Sequence, residues 1–322
     1  IALNTTPIKK KQWQWDLNFT YTRNRNKIVE LSPDVTSYIN LDGAANYGNY
    51  RIASVAKVGS DYGMLMSDSW IKTDEKTGKP VVGYTNKFRT VYYKRGGTVK
   101  EVGSMLPNFL GSLNSTLRWK DLSLYVLFDA RFGGYVASYN SRYATAYGFS
   151  GETEKYRKGM TWTSKYANAQ DKVFTDGFIP DVVFDAGTIV TTPGGTNQDV
   201  SGMTYQEAYE KGYVEPAHLQ SAAYFKNSWG TGVINDDWFK KINYIALREI
   251  TLSYNVPTKI SSYIGAKNLS LSFTGRNLAY LLNTAPNHEN PESVRGTGAA
   301  QFRMRSFMPY TASYLFTLNA TF

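Results

Sequence analysis

The segment Trp13-Gln14-Trp15-Asp16-Leu17-Asn18-Phe19-Thr20-Tyr21-Thr22 has a large apolar residue at every odd position and a polar one at every even position. Successive side chains of a strand point to opposite sides, so this run makes a strand with one greasy and one wet face. The pattern recurs. Phe109, Leu113, Leu117 and Trp119 alternate with Ser112, Asn114, Thr116 and Arg118. Beyond a two-residue turn at Lys120-Asp121, Leu122, Leu124, Val126, Phe128, Ala130 and Phe132 alternate mainly with Ser123, Tyr125, Asp129 and Arg131. Ile250, Leu252 and Tyr254 oppose Glu249, Thr251 and Ser253; Leu269, Leu271 and Phe273 oppose Ser270, Ser272, Thr274 and Arg276. Finally Tyr314, Phe316, Leu318, Ala320 and Phe322 oppose Ser313, Thr317, Asn319 and Thr321. These runs reach the roughly 9–11 residues that a tilted strand needs to cross a bilayer. Globular strands are commonest at about 5–6.

Composition points the same way. Aromatics are 15% of the 322 residues, with 25 Tyr, 16 Phe and 7 Trp, yet mean hydropathy is negative. A barrel with aromatic girdles outside and a polar interior has this balance. No stretch approaches the roughly 18 consecutive apolar residues of a membrane helix. With no cysteine there is no thiol nucleophile, disulfide or Cys-based zinc site. The net charge of +10 comes from scattered Lys and Arg, with one dense run at Lys9-Lys10-Lys11, so nucleic acid is not the expected partner. The expected fold is all-β: a transmembrane antiparallel β-barrel with long extracellular loops. The chain reads as a mature or C-terminal portion, since Ile1-Ala2-Leu3-Asn4 looks like the middle of a strand.

Weaker strands are expected at Ile1–Ile8, Tyr50–Val58 and Tyr62–Trp70, for roughly nine crossings in all. The connections then sort by length. Pro7–Lys11, Gly59–Asp61, Lys120–Asp121 and Pro257–Gly265 are short; Asn26–Asn49, Lys72–Val102, Gly133–Trp238 and Leu281–Tyr310 are long. Short periplasmic turns and long outer loops are the asymmetry of outer-membrane barrels. Residues 133–238 form the large extracellular insertion, with short helices expected at Glu152–Gly159 and Thr204–Lys211. The second opens on a capping box, Thr204-Tyr205-Gln206-Glu207. Asp185–Asp199 reads as a mobile, turn-rich tip.

Candidate functional residues follow from these faces. Tyr139, Tyr143, Tyr147, Trp162, Phe178, Phe225 and Trp229 lie in the long loop. Their flat rings could stack on sugars, grip peptide side chains or anchor a partner, or could pack the loop onto itself. Arg118, Asp129, Arg131, Glu249 and Arg276 occupy inward positions, because a charge facing lipid costs about 2–4 kcal/mol at the midplane. Trp13, Trp15, Trp119 and Trp238 read as interface anchors. The two histidines, His218 and His288, come with no hydrolase or metal-ligand spacing, and Asp236-Asp237 reads as a cap rather than a cation site. No catalytic group, cofactor or metal is expected, and an enzyme is not.

Several phrases together resemble the C-terminal barrel portion of the SusC/RagA family of TonB-dependent outer-membrane transporters. They are Trp15–Leu31, Val58–Trp70, Lys76–Val82, Leu106–Asp129, the Arg131–Gly134 sequence RFGG, Leu247–Pro257, Leu269–Leu278 and the final Phe322. They occur in the family's order and nearly span the chain. Where the family commonly has Asp-Pro-Glu, this chain has Asn290-Pro291-Glu292. The resemblance implies a 22-stranded barrel, an N-terminal plug absent here, and a link through that missing part to TonB–ExbB–ExbD. It also implies a SusD-like lipoprotein lid and an oligosaccharide or peptide substrate. The lumenal charges would then contact the plug. Tyr314, Phe316, Leu318 and Phe322 resemble the signal read by the assembly machinery. The alternative is a structural or adhesive barrel whose loops bind a partner or surface.

The alternation sets a test. Single cysteines at residues 17 and 19 should react with a lipid-confined reagent, and those at 16 and 18 with a water-soluble one. Equal aqueous labelling of both parities would eliminate the barrel.

Overall fold

The computed structural model describes residues 1–41, 52–146, 149, 151, 159–218, 234–235, 239–295, 298, 301–304 and 309–322. Its frame is seven long strands: β1 Ala2–Lys10, β2 Trp13–Thr22, β3 Phe109–Trp119, β4 Leu122–Ser138, β5 Phe239–Val256, β6 Asn268–Asn283 and β7 Ser313–Thr321. They pair antiparallel in that order. Two short strands, Val294–Arg295 and Arg303–Met304, join the same sheet, the latter lying parallel to Ala137–Ser138 at the end of β4.

The register keeps the two faces continuous across the sheet. One row runs Ile8, Trp15, Leu117, Leu124, Leu252, Phe273 and Phe316. The adjacent row on the other face runs Lys9, Gln14, Arg118, Ser123, Ser253, Ser272 and Thr317. A slip of one residue would exchange these rows, so the hydrophobic pattern specifies the pairing. The apolar face is uncovered: Leu252 is 46% exposed, Phe273 52% and Phe316 71%. Water-soluble proteins seldom leave so wide an apolar surface bare, whereas a barrel turns it to lipid.

Three connections at one end are short. Lys11–Gln12 joins β1 to β2, and Lys120–Asp121 joins β3 to β4, with Lys120 at φ 52. Residues 257–267 join β5 to β6 through a helical turn at Thr258–Ser261 and a 3-10 turn at Ser262–Ile264. The first turn lies later than Pro7–Lys11, because β1 runs through Pro7. That residue sits in the register break between Thr5 and Ile8, where a missing N–H costs no ladder bond.

Two expected crossings are not barrel strands. Ile52–Lys57 and Met64–Ser67 form a separate four-stranded sheet with Tyr38–Asn40 and Lys100–Ser104. Ile52, Val55, Ala56, Leu65 and Met66 are all buried there, and Met64–Ser67 is four residues long, far too short to span a bilayer. Residues 23–108 are thus one excursion between β2 and β3, and Gly59–Asp61 is a turn within it. Losing a pair of crossings leaves the up-and-down sense of every other strand unchanged. β4 also extends through Ser138, so the second excursion is 139–238 rather than 133–238.

The two large excursions fold together. Val81–Thr85 pairs antiparallel with Thr90–Tyr93 and, on its other edge, parallel with Val183–Phe184 from the second excursion. Val82 and Val91 from the first share a core with Phe184, Val190, Val200, Tyr205 and Ala208 from the second. The capping box expected at Thr204 is present and starts the helix Tyr205–Glu210, whose Tyr205 and Ala208 are fully buried. The helix expected at Glu152–Gly159 lies almost wholly outside the described residues. Asp185–Asp199 is not a loose tip. It holds the hairpin Ile189–Thr191 and Asn197–Asp199, with Val190 and Val200 at 0% exposure and the Asn86 side chain bonded to Ile189 O and Thr191 N.

Gly133 and Gly134 interrupt β4 at φ 83 and 85. The returning first excursion passes so close that a Cβ on Gly134 would meet Met105 O at 2.7 Å. Both the left-handed backbone and the lack of room require glycine here.

Across the seam between excursions, Lys72 and Lys94 lie 2.7 and 3.4 Å from Asp185, and Lys79 lies 2.7 Å from Asp181. Burial pushes the Asp185 carboxyl up, but the two lysines outweigh it and hold it below the usual carboxylate range. A depressed carboxylate stabilises above its unfolded value of about 3.9, and that support is lost as pH falls through the folded value. With both lysines partly exposed, the contribution is about 0.5–1 kcal/mol. Amide protection factors, corrected for the intrinsic pH dependence of exchange, should therefore fall in residues 81–93 and 183–208 below about pH 4. Asp185→Asn should show the lower protection already at neutral pH, and unchanged protection there would dismiss the seam as a support.

Candidate functional site

The polar face of the sheet carries bonded side chains from strand to strand. Arg118 on β3 ion-pairs with Asp16 on β2, which also accepts from Gln14 and Thr6. Asn18 bonds Asn4, and the hydroxyls of Thr20 and Ser112 share a bond at 2.6 Å. Further along, Glu249 on β5 accepts from Arg276 on β6 at 3.0 Å and from Thr251, whose hydroxyl also meets Thr274. Each neutral bond of this kind contributes about 0.5–1.5 kcal/mol net, and more where a charge takes part.

Arg248 makes the densest cluster. The ladder between β5 and β6 breaks between Leu247 and Glu249, and this bulge brings Arg248 within reach of Asp129 on β4. Its Nε and Nη2 donate to Asp129 Oδ2 at 3.2 and 2.8 Å. Its Nη1 and Nη2 donate to Glu292 Oε2 and Oε1 at 2.7 and 2.6 Å, the two-pronged fit of guanidinium to carboxylate. Glu292 belongs to the last excursion, 284–312, so this bond ties that segment to the polar wall. The Tyr280 hydroxyl lies 2.8 Å from Glu292 Oε2 and 3.1 Å from Asn290 Oδ1. Tyr244 lies 3.4 Å from Glu292 Oε1. Burial pushes the Glu292 carboxyl up, but Arg248 and Tyr280 hold it below the usual range. Asn290 uses its Oδ1 to accept the Glu292 N–H at 3.0 Å, so Asn290-Pro291-Glu292 is a turn that aims one carboxylate. Among the described residues no three His, Cys, Asp or Glu gather as metal ligands.

Arg131 donates to Met105 O and Gly133 O, both at 3.3 Å. It holds the returning first excursion against β4. The five inward charges are therefore divided among four bonded groups rather than gathered in one.

The loop aromatics are placed differently from one another. Tyr139 is 2% exposed, in a core with Ile52, Leu65, Met105, Phe239 and Phe302, at the start of the helix Tyr139–Ala146. Phe178 is 9% exposed in the shared core of the excursions. Both rings are buried against the excursions' own cores, the second of the two roles open to the loop aromatics. Trp162 stacks on Phe174 at 5.0 Å, and its Nε1 donates to Glu215 Oε2 at 3.1 Å. Glu215 also accepts from Ser164 Oγ and Lys165 N, so this half-buried ring is held at a polar hub. Tyr147, Phe225 and Trp229 lie outside the described residues, as do Asp236, Asp237, Trp238 and the Tyr143 side chain. Tyr314, Phe316, Leu318 and Phe322 are 67, 71, 58 and 71% exposed, on or just past the outermost strand β7. Arg248, Glu292, Tyr280 and Tyr244 were not candidates on sequence grounds. The signal was faint: Arg248-Glu249 is a charged pair next to an alternating run, but Lys240-Lys241 and Tyr244-Ile245-Ala246-Leu247 break the same strand's alternation.

No protein-family model matches the chain, and no curated protein matches it. Solved structures do. The fold is similar to a RagAB peptide importer in an open-open state, with TM-score 0.56 and 14% identity over 100% of this chain and 28% of the other. It is also similar to that importer in a closed-closed state, with TM-score 0.53 and 13% identity over 100% of this chain and 29% of the other. The chain thus spans less than a third of the length of these structures. At such identity the likeness is one of fold.

Glu292→Gln should free the last excursion from the wall without disturbing the sheet. A double-mutant cycle of Glu292→Gln with Arg248→Gln should return a coupling of about 1–2 kcal/mol in unfolding free energy. Amide exchange at 289–295 should rise in either single variant. Additive effects would show that the fork contributes nothing.

Proposed function

We propose that this chain is the C-terminal barrel portion of a SusC/RagA-like, TonB-dependent transporter of the Gram-negative outer membrane. It imports a large nutrient, an oligosaccharide or peptide, with a SusD-like surface lipoprotein as its lid. The observation that carries this reading is the two-faced sheet itself. Seven strands long enough to cross a bilayer turn one apolar and one polar face, and all elaborate connections leave from one end. The overlap with structures described as peptide importers supports it. The sequence resemblance supports it as well: most of its phrases fall on these strands, while Val58–Trp70 and Lys76–Val82 lie in the first excursion.

In this reading the polar wall lines the lumen. Arg118, Glu249 and Arg276 present a bonded, charged surface that a plug can rest against and slide past, because their charges are already neutralised within the wall. The co-folded excursions face outward and dock the lid over an interface of at least about 2,000 Å², the size of permanent complexes. Trp162 and the undescribed Phe225 and Trp229 are the aromatic candidates for that contact. Seven strands do not enclose a substrate-sized lumen, so the reading supposes further strands, a plug and a TonB-contacting segment in the whole protein, with ExbB–ExbD supplying the energy.

The test is made on the whole protein in native membranes. Gentle detergent extraction should bring down a stoichiometric lipoprotein, and uptake of a complex glycan or peptide should stop when TonB is removed. A barrel that purifies alone, with uptake indifferent to TonB, would be a structural or adhesive one instead.

A further inference from the structure

The short-turn end of the sheet is strongly one-signed. Its three connections and their flanks carry Lys9, Lys10, Lys11, Lys120, Lys259 and Lys267, all exposed, against one acidic side chain, Asp121. Among the described residues none of the six forms an ion pair with a side-chain carboxylate. Lys267 Nζ donates to the main-chain oxygen of Phe322 at 3.1 Å, so the other five lysines against Asp121 set the sign of this end.

Directly beside the lysines lies a belt of amphipathic and apolar side chains. Trp13 and Trp119 stack at 5.5 Å on the apolar face, each 42% exposed, one residue from their turns. The Lys120 ammonium rests over the Trp119 ring at 5.4 Å. In the connection 257–267, Ile260, Tyr263 and Ile264 are 56, 90 and 58% exposed although Ser261 and Ala266 between and beside them are buried. Exposed Tyr and Trp rings at the end of a lipid-facing strand mark the depth where headgroup meets acyl chain. Lysines there extend their apolar stems along that surface and carry the charge outward.

We infer that this rim binds the headgroups of anionic phospholipids, a property that rests on the membrane-spanning reading above and extends it. The ammonium groups of Lys10, Lys11, Lys120 and Lys259 take the phosphates, while Trp13, Trp119, Tyr263 and Ile264 sit among the glycerol and first acyl carbons. Charge complementarity points to an anionic partner, and the apolar step beside the charges points to a lipid. A free phosphate or an acidic protein would leave Ile260, Tyr263 and Ile264 in water. The rim fixes the vertical position of the sheet at the end where its turns are too short to do so by packing.

The probe is spin-labelled lipid around the whole purified protein in bilayer discs. Wild type should enrich labelled phosphatidylglycerol over phosphatidylcholine at its boundary at least about threefold, and about 0.5 M salt should erase the preference. Replacing Lys10, Lys11, Lys120 and Lys259 by Gln should abolish it, and replacing them by Arg should retain it. Equal enrichment of the two lipids, or a preference that survives the Gln variant, would overturn the inference while leaving the barrel intact. Displacement by inorganic phosphate beyond that of chloride at equal ionic strength would also overturn it, in favour of a free-anion site. Failure to enter discs of any composition would remove the membrane-spanning reading and the inference with it.

Discussion

Parity along a continuous sheet of antiparallel strands governs this structure. In hydrocarbon each unpaired backbone N–H or C=O costs several kcal/mol, so a lipid-facing sheet must bond strand to strand without a gap. Once that ladder is set, a residue's odd or even place decides which face it meets. The row from Ile8 to Phe316 and the row from Lys9 to Thr317 differ by one residue and by the whole difference between oil and water. At two of the places where the ladder departs from strict parity, the bulge holding Arg248 and Gly133–Gly134, the structure attaches an excursion to the wall.

What could be read in advance divides along the same line. The long strands were legible because alternation over nine or more residues is difficult to produce otherwise, and Lys120-Asp121 was legible as the turn between two such runs. The capping box at Thr204 was legible because it is local: one hydroxyl, one carboxylate, three residues apart. Ile52–Lys57 was misread since its burial is two-sided, and a short apolar run looks alike in a membrane strand and in a small buried sheet. Asp185–Asp199 was misread because its Gly, Pro and Thr content describes the bend and says nothing of Val190 and Val200 on either side of it. The Arg248 fork was hidden for another reason. Its partners Asp129 and Glu292 come from elsewhere in the chain, and only the register shows that they meet.

The excursions also divide charge between them. Residues 72–95 are rich in lysine and arginine, while 171–215 carry most of the nearby aspartate and glutamate. The ion pairs of Asp185 and Asp181 lie on the seam between them. Each such pair is worth little alone. Their arrangement matters more for matching: it favours the parallel pairing of Val81–Val82 with Val183–Phe184 over other ways of bringing two loops together.

That parallel pairing has a kinetic consequence. Val82 and Val183 are separated by the whole of β3 and β4, so their contact closes a long loop. Loop closure is slow and its entropy is not recovered until the distant partner arrives. The β3–β4 hairpin brings the roots of both excursions side by side, shortening the effective distance once it has formed. The order of events is therefore written into the connectivity. The hairpin comes first and the shared core second, and a chain halted between these stages exposes Val82, Val91 and Phe184 together.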